Sequence, residues 1–198
     1  MRNHFMKATA ACALAVFALA QVAGAQTPAA APAAPAGPSS PIVANPTYIF
    51  IPLEIDVNKP AAEVWKRVGK FCDIGEWFRI PGGCTITSGK EGEFGSVRSV
   101  AGEIMVARTE LSYTYTQTVK ANRPYNLYHG TLEARPVTAT TSKLVYTLVF
   151  DNSMLADDAA REKDRAGKTT QFMQALQNMK ILAEGGTLPP APPRPGRN

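Results

Sequence analysis

Tyr48-Ile49-Phe50-Ile51-Pro52-Leu53-Glu54-Ile55-Asp56-Val57 alternates with a period of two. Ile49, Ile51, Leu53, Ile55 and Val57 fall on one face, and Glu54 and Asp56 on the other, which is the pattern of a half-buried strand. Pro52 removes a ladder donor and predicts an edge position or a bulge. This strand stands apart, because the next two segments read as helical. Asn58 is expected to cap the first, with Pro60 in its opening turn; Val64, Trp65 and Val68 share a face, and Gly69 ends it. Phe71 to Phe78 forms a second short helical or turn segment, halted by Pro81-Gly82-Gly83.

Strand patterns then follow almost without interruption. They are expected at Cys84–Ser88, Ser96–Val100, Glu103–Leu111, Tyr113–Val119, Tyr125–Val137 and Lys143–Phe150, with Asn122-Arg123-Pro124 as a loop. In the last of these Leu144, Tyr146, Leu148 and Phe150 form one face. Gly89 to Gly95 resembles a phosphate-binding loop only superficially, since no Ser or Thr follows Lys90 and no helix comes after; it reads as a hairpin turn. Ser153 is expected to open a long helix, with Asp157 and Asp158 suited to its first turns. Thr169, Phe172, Leu176, Met179 and Ala183 keep helical spacing, and Gly185-Gly186 stops it. A lone strand, two helical segments, a meander and a C-terminal helix predict an α+β domain, with a curved antiparallel sheet curled against the last helix. A hollow between sheet and helix is a place for a small ligand.

The ends are read differently. Arg2 and Lys7, the apolar run Ala8–Ala20 and Ala23-Gly24-Ala25 predict a signal peptide over residues 1–25, cleaved before Gln26, and hence a periplasmic or secreted mature protein. The run is too short for a membrane span, so no stable membrane insertion is expected. Residues 26–46 are rich in Ala and Pro and read as a disordered spacer, and residues 187–198 as a Pro-rich tail. Residues 47–186 remain as one domain. Four of the 21 Lys and Arg (Arg2, Lys7, Arg194 and Arg197) lie outside it, whereas all 16 acidic residues lie within, so most of the net charge of +5 belongs to the ends. The domain is close to neutral, and nucleic acid is not an expected partner. The mature chain keeps Cys72, Cys84 and one histidine, His129. Two cysteines in an oxidising compartment are expected to pair, which would stabilise by about 3 kcal/mol; two reduced buried thiols are the alternative.

Several stretches together resemble a known family. Ile55-Asp56-Val57-Asn58-Lys59-Pro60-Ala61-Ala62-Glu63-Val64-Trp65 resembles a strand, Pro-Ala turn and Val-Trp helix of the polyketide cyclase/dehydrase branch of the START-like (SRPBCC) superfamily. That superfamily includes the major birch pollen allergen. Phe71–Phe78 resembles its second helix and Gly95-Ser96-Val97-Arg98 its Gly-x-x-Arg strand. Tyr128–Leu132 followed by Leu144–Leu148 resembles its last two strands. The resemblance implies a helix-grip fold, an internal cavity and hydrophobic or aromatic small-molecule ligands. It carries no shared catalytic set, since relatives include cyclases, lyases and carriers. The signal peptide and the cysteine pair depart from the common cytoplasmic pattern.

Two function classes stand side by side. One is a lyase- or cyclase-type enzyme working by proton transfer, with Tyr128, His129, Arg98 and Glu103 as catalytic candidates. The other is a non-catalytic carrier or scavenger of hydrophobic ligands. Trp77, Tyr113, Tyr115, Tyr146, Phe172 and Leu176 are the candidate ligand contacts, because aromatic strand residues offer an apolar wall with a polar tip. Each Tyr can equally complete the core, and Trp77 can equally anchor it. His129 is the natural general acid or base near neutral pH, yet its parity with Thr131 and Glu133 points to solvent. A lone histidine argues against a zinc site, and neither a metal nor a cofactor is expected. The sequence is silent on oligomeric state.

Overall fold

The computed structural model describes residue 43 and residues 45–119 and 125–190. The expected signal peptide, nearly all of the expected spacer, the expected loop at Asn122-Arg123-Pro124 and the end of the expected tail lie outside the described residues.

Seven strands form one antiparallel sheet: β1 (Tyr48–Val57), β2 (Ile86–Ser88), β3 (Val97–Arg98), β4 (Glu103–Arg108), β5 (Ser112–Gln117), β6 (Asn126–Pro136) and β7 (Ser142–Asp151). Their order is β1-β7-β6-β5-β4-β3-β2. Helices α1 (Ala61–Val68) and α2 (Ile74–Trp77) lie between β1 and β2, and α3 (Asp158–Ala183) ends the domain. The fold is thus the α+β helix-grip architecture. β1 is an edge strand, which is where Pro52 is tolerated. Ile51, Leu53 and Val57 are buried on its inner face, while Phe50, Pro52 and Glu54 point out.

Packing follows the alternation. Leu144, Tyr146, Leu148 and Phe150 of β7 are fully buried, and Tyr128, Leu132 and Ala134 of β6 share that interior. α3 covers it with Phe172, Ala175, Leu176, Met179 and Leu182, all in the second half of the helix. Leu176 is fully buried against this core. The N-terminal half of α3, where Ala and charged residues dominate, stays mostly exposed.

Several boundaries differ from those expected. α3 starts at Asp158, not Ser153, because the Asp157 carboxylate accepts from the Ala160 amide (2.7 Å) and caps it. Ser153 instead donates its amide and hydroxyl to Asp151. Asn58 does not cap α1; Pro60 holds that position without a side-chain bond, and the Asn58 amide donates to Glu184 (2.8 Å). β3 shrinks to two residues because Gly95 and the Ala101-Gly102 turn, all at positive φ, break the extended backbone on either side. β4 stops at Arg108, where the Thr109 amide closes on the Ser112 carbonyl.

Candidate functional site

α3 and the strands leave an inner cleft of about 180 Å³ between them. Ile74 and Phe78 of the α2 region, Phe172 and Gln171 of α3, and Val100 with Ala101 of the β3–β4 turn frame it. Tyr115, Tyr125 and Tyr128 form its wall, and Glu103 and Gln117 its floor. Tyr128 is turned inward within a register shift in β6, where Leu127 takes φ 50°. A bulge of this kind re-aims the next side chain.

The floor is a buried polar chain. Arg98 Nε donates to Glu103 Oε2 at 2.6 Å, and Nη2 lies 2.5 Å from the same oxygen as an ion-pair contact. Arg98 Nη1 donates to the Phe71 carbonyl at 2.5 Å. Glu103 Oε1 accepts from Gln117 Nε2 (2.8 Å), and Tyr125 donates to Gln117 Oε1 (2.9 Å). The guanidinium also lies 4.2 Å from the Phe71 ring centre and 4.6 Å from that of Tyr115. Burial pushes the Glu103 carboxyl above its ordinary value, opposed by Arg98 and Gln117. Burial alone would lower Arg98, but the surrounding phenols and Glu103 hold it above its ordinary value. The two buried charges face each other, although Arg98 Nη2 makes no hydrogen bond of its own, and such pairing is the condition for keeping charges inside a domain.

The walls are aromatic. Tyr128 stacks on Phe150 (5.5 Å between centres), Tyr125 lies 4.8 Å from Tyr128, and Phe172 meets Phe78 edge-on at 5.2 Å. The Tyr115 and Tyr146 hydroxyls bond each other at 2.9 Å. Burial raises the phenols of Tyr115, Tyr128 and Tyr146, so these groups stay protonated and serve as hydrogen-bond donors. At the mouth, the Lys168 ammonium lies 5.0 Å from the Tyr125 ring centre and is paired with Asp164 at 2.8 Å.

The sequence-predicted residues divide accordingly. Glu103, Tyr115, Tyr128 and Phe172 line the inner cleft, and Arg98 stands directly behind Glu103. Tyr146 lies one layer deeper, with its ring 4.8 Å from Phe172. Trp77 is fully buried and anchors α2 to α3, its carbonyl accepting from Asn178 (2.8 Å). Leu176 is core. Tyr113 lines a separate cleft on the far side of Arg98. His129 stands on the opposite face of β6 from Tyr128, with Nδ1 on the Leu127 carbonyl, and shares no space with the cleft. Sequence reasoning missed Gln117, Lys168 and Gln171. Gln117 shares strand parity with Tyr113 and Tyr115, and Lys168 and Gln171 share a helical face with Phe172, so spacing carried that signal.

Cys72 and Cys84 are bonded, with Sγ atoms 2.03 Å apart and Cα atoms 5.2 Å apart. Among the described residues no group of three His, Cys, Asp or Glu side chains is arranged to hold a metal ion. Among them, too, no helix is long and apolar enough to cross a membrane.

No curated protein sequence matches the chain. Among solved structures, the Zhui aromatase/cyclase from a Streptomyces species is 19% identical, with a TM-score of 0.54 over 71% of this chain and 100% of that one. A truncated norcoclaurine synthase from Thalictrum flavum is 11% identical, with a TM-score of 0.54 over 74% and 99%. A Thermobifida fusca protein solved by NMR is 21% identical, with a TM-score of 0.53 over 69% and 95%. At these identities the likeness concerns the fold. Residues 51–184, well over half of the chain, match the family model described as polyketide cyclase/dehydrase and lipid transport. The chain therefore belongs to the polyketide cyclase/dehydrase and lipid transport family.

Proposed function

We propose that this protein is exported and binds a neutral single-ring aromatic molecule in the inner cleft, as a carrier or scavenger. The observation that carries this reading is the cleft itself, with aromatic walls, a hydrogen-bonding floor and a volume of about 180 Å³. An apolar cavity of about 150 Å³ holds one benzene, so this space suits one substituted ring and is too small for a fused polycycle. Glu103 keeps free lone pairs for a phenol-like donor, and the raised phenols of Tyr115 and Tyr128 are donors rather than bases. These features favour holding a ligand. Export is supported by the Ala23-Gly24-Ala25 signal and by the cysteine pair, which suits an oxidising compartment. In this reading residues 26–46 precede a domain at 47–186 and residues 187–198 follow it, although Leu188 itself packs against the core.

A second reading rests on Glu103. Its carboxyl is buried at the cleft floor and pushed upward, which brings it towards the range useful for proton transfer, with Arg98 behind it. One experiment separates the two. Organic extracts of the purified protein are analysed by mass spectrometry, and 4-methylphenol is titrated while amide shifts are followed by NMR. A copurified single-ring compound recovered unchanged, with shifts at Ile74, Gln117 and Phe172, supports the carrier. A product that forms on incubation and disappears in Glu103→Gln supports the enzyme. Failure of every single-ring compound to bind overturns the proposal.

A further inference from the structure

A second cleft, of about 330 Å³, opens on the far side of Arg98, between α1, the Glu91-Gly92 turn and the β4–β5 hairpin. Its floor is apolar: Phe71, Met105 and Tyr113 are almost fully buried, and the half-buried Trp65 lies 5.7 Å from Tyr113 between ring centres. Gly69 makes this arrangement possible, since a Cβ there would meet the Trp65 ring at 2.3 Å. The rim is cationic: Lys66, Lys70 and Arg108 line it. Glu91 is its one acidic group, and both its oxygens are taken by the backbone, accepting from the Phe71 amide (2.5 Å) and the Cys72 amide (3.2 Å).

Among the described residues most cations elsewhere are paired, with Arg79 and Lys163 as the exceptions. Arg67, Arg135, Lys143, Arg161, Arg165, Lys168 and Lys180 each meet a carboxylate. Among the described residues none of Lys66, Lys70 and Arg108 lies within ion-pair distance of one, and Arg108 is anchored only through Nη1 on the Gly92 carbonyl. The domain as a whole is close to neutral, so three unmatched cations around one concavity are not the by-product of a basic surface. Cations over an apolar floor select an anion that carries carbon.

We propose that this outer cleft is a second binding site, for an organic carboxylate whose aromatic or aliphatic body lies on Trp65, Met105 and Tyr113 while its head meets Lys66, Lys70 and Arg108. It is independent of the inner cleft, which takes a neutral ring. The test uses the whole mature chain and naphthalene-2-carboxylate, with 2-naphthylmethanol and inorganic sulfate as comparison probes, read by amide shifts in NMR. The carboxylate is expected to move signals at Lys66–Lys70 and Thr109–Tyr113. Lys66→Gln combined with Arg108→Gln, both on exposed side chains, should weaken it about tenfold, and raising the salt should weaken it further. These substitutions should leave 4-methylphenol binding at Ile74 and Gln117 untouched, which separates this site from the inner one. Equal affinity of the neutral alcohol or of sulfate, shifts confined to the inner cleft, unchanged affinity in the double variant, or no binding of the carboxylate would each overturn the proposal.

Discussion

Replacing Arg98 by Leu is expected to destabilise the domain by about 4 kcal/mol at pH 7, the middle of the range of about 3–5 kcal/mol seen when one partner of a buried ion pair is removed. The structure explains why the loss is large. Arg98 is fully buried, is paired with Glu103 through one hydrogen bond and one further close contact, and holds the Phe71 carbonyl. Leucine leaves a buried carboxylate with only Gln117 as a donor, and a backbone oxygen with nothing in place of Nη1. Most of the loss therefore resides in Glu103, and two consequences follow. Arg98→Leu combined with Glu103→Leu should recover about half of it, because removing both charges is far less harmful than orphaning one. The deficit of the single variant should also shrink in acid. Burial already holds Glu103 above its ordinary 4.5, and losing Arg98 leaves that push without its main opponent. The folded variant then keeps a proton that the unfolded chain has released. Its stability is fullest below about pH 4.5 and is lost as the pH rises through the raised folded value. Urea unfolding followed by Trp fluorescence at pH 4 and pH 7, in variant and wild type, measures both effects. A loss under about 1 kcal/mol, a deficit that does not change with pH, or strict additivity in the double variant would refute the account.

Changing Cys72 and Cys84 both to Ser should cost about 3 kcal/mol by the loop-closure relation for a short bridged loop, measured as a shift in the urea midpoint. Gly130→Ala places a Cβ 2.4 Å from Cζ and the hydroxyl of Tyr115, so it should destabilise by about 1–3 kcal/mol, and shortening Tyr115 to Val in the same chain should relieve most of that strain. His129→Gln should change stability by no more than about 0.5 kcal/mol and leave 4-methylphenol binding intact, because the ring sits outside; a lost signal at Gln117 on titration would place it back in the site.

What the sequence made legible was alternation and order. β1 and β7 show their inner faces as strict period two, and both run as expected. α3 was legible from its bulky half, but its start was not, because Ser153 and Asp157 are both acceptable caps and only the turn after β7 decides between them. The site was harder to read for two reasons. Register shifts in β4 and β6 break parity, so a face counted along the strand is unsafe beyond them. Tyr128 keeps parity with Leu132 although it lies within the irregular stretch between Asn126 and His129. The other reason is depth. Tyr113, Tyr115 and Tyr146 are each buried, yet Tyr113 faces one cleft, Tyr115 the other and Tyr146 neither, and this depends on partners that no local pattern encodes. The opposite parity of His129 did carry information, and it placed the ring outside.

The tyrosines explain how one architecture can serve ligands of different size. The sheet and α3 set an envelope, and the side chains between them subtract from it. Tyr115 is folded down onto Gly130 and tied to Tyr146, whose ring fills the space against Phe172. Arg98 and Glu103 stand across the same interior, with Phe71 on one side and Gln117 on the other. A septum of rings and one buried ion pair thus stands between an inner cleft of about 180 Å³ and an outer one of about 330 Å³. Its charges are paired and its rings pack on neighbours, so opening it would orphan a charge as well as expose apolar surface. On the proposed function, ligand size would be set by the septum more than by the curvature of the sheet, and the two clefts differ in charge because Glu103 lines one and the cations of α1 and β4 line the other.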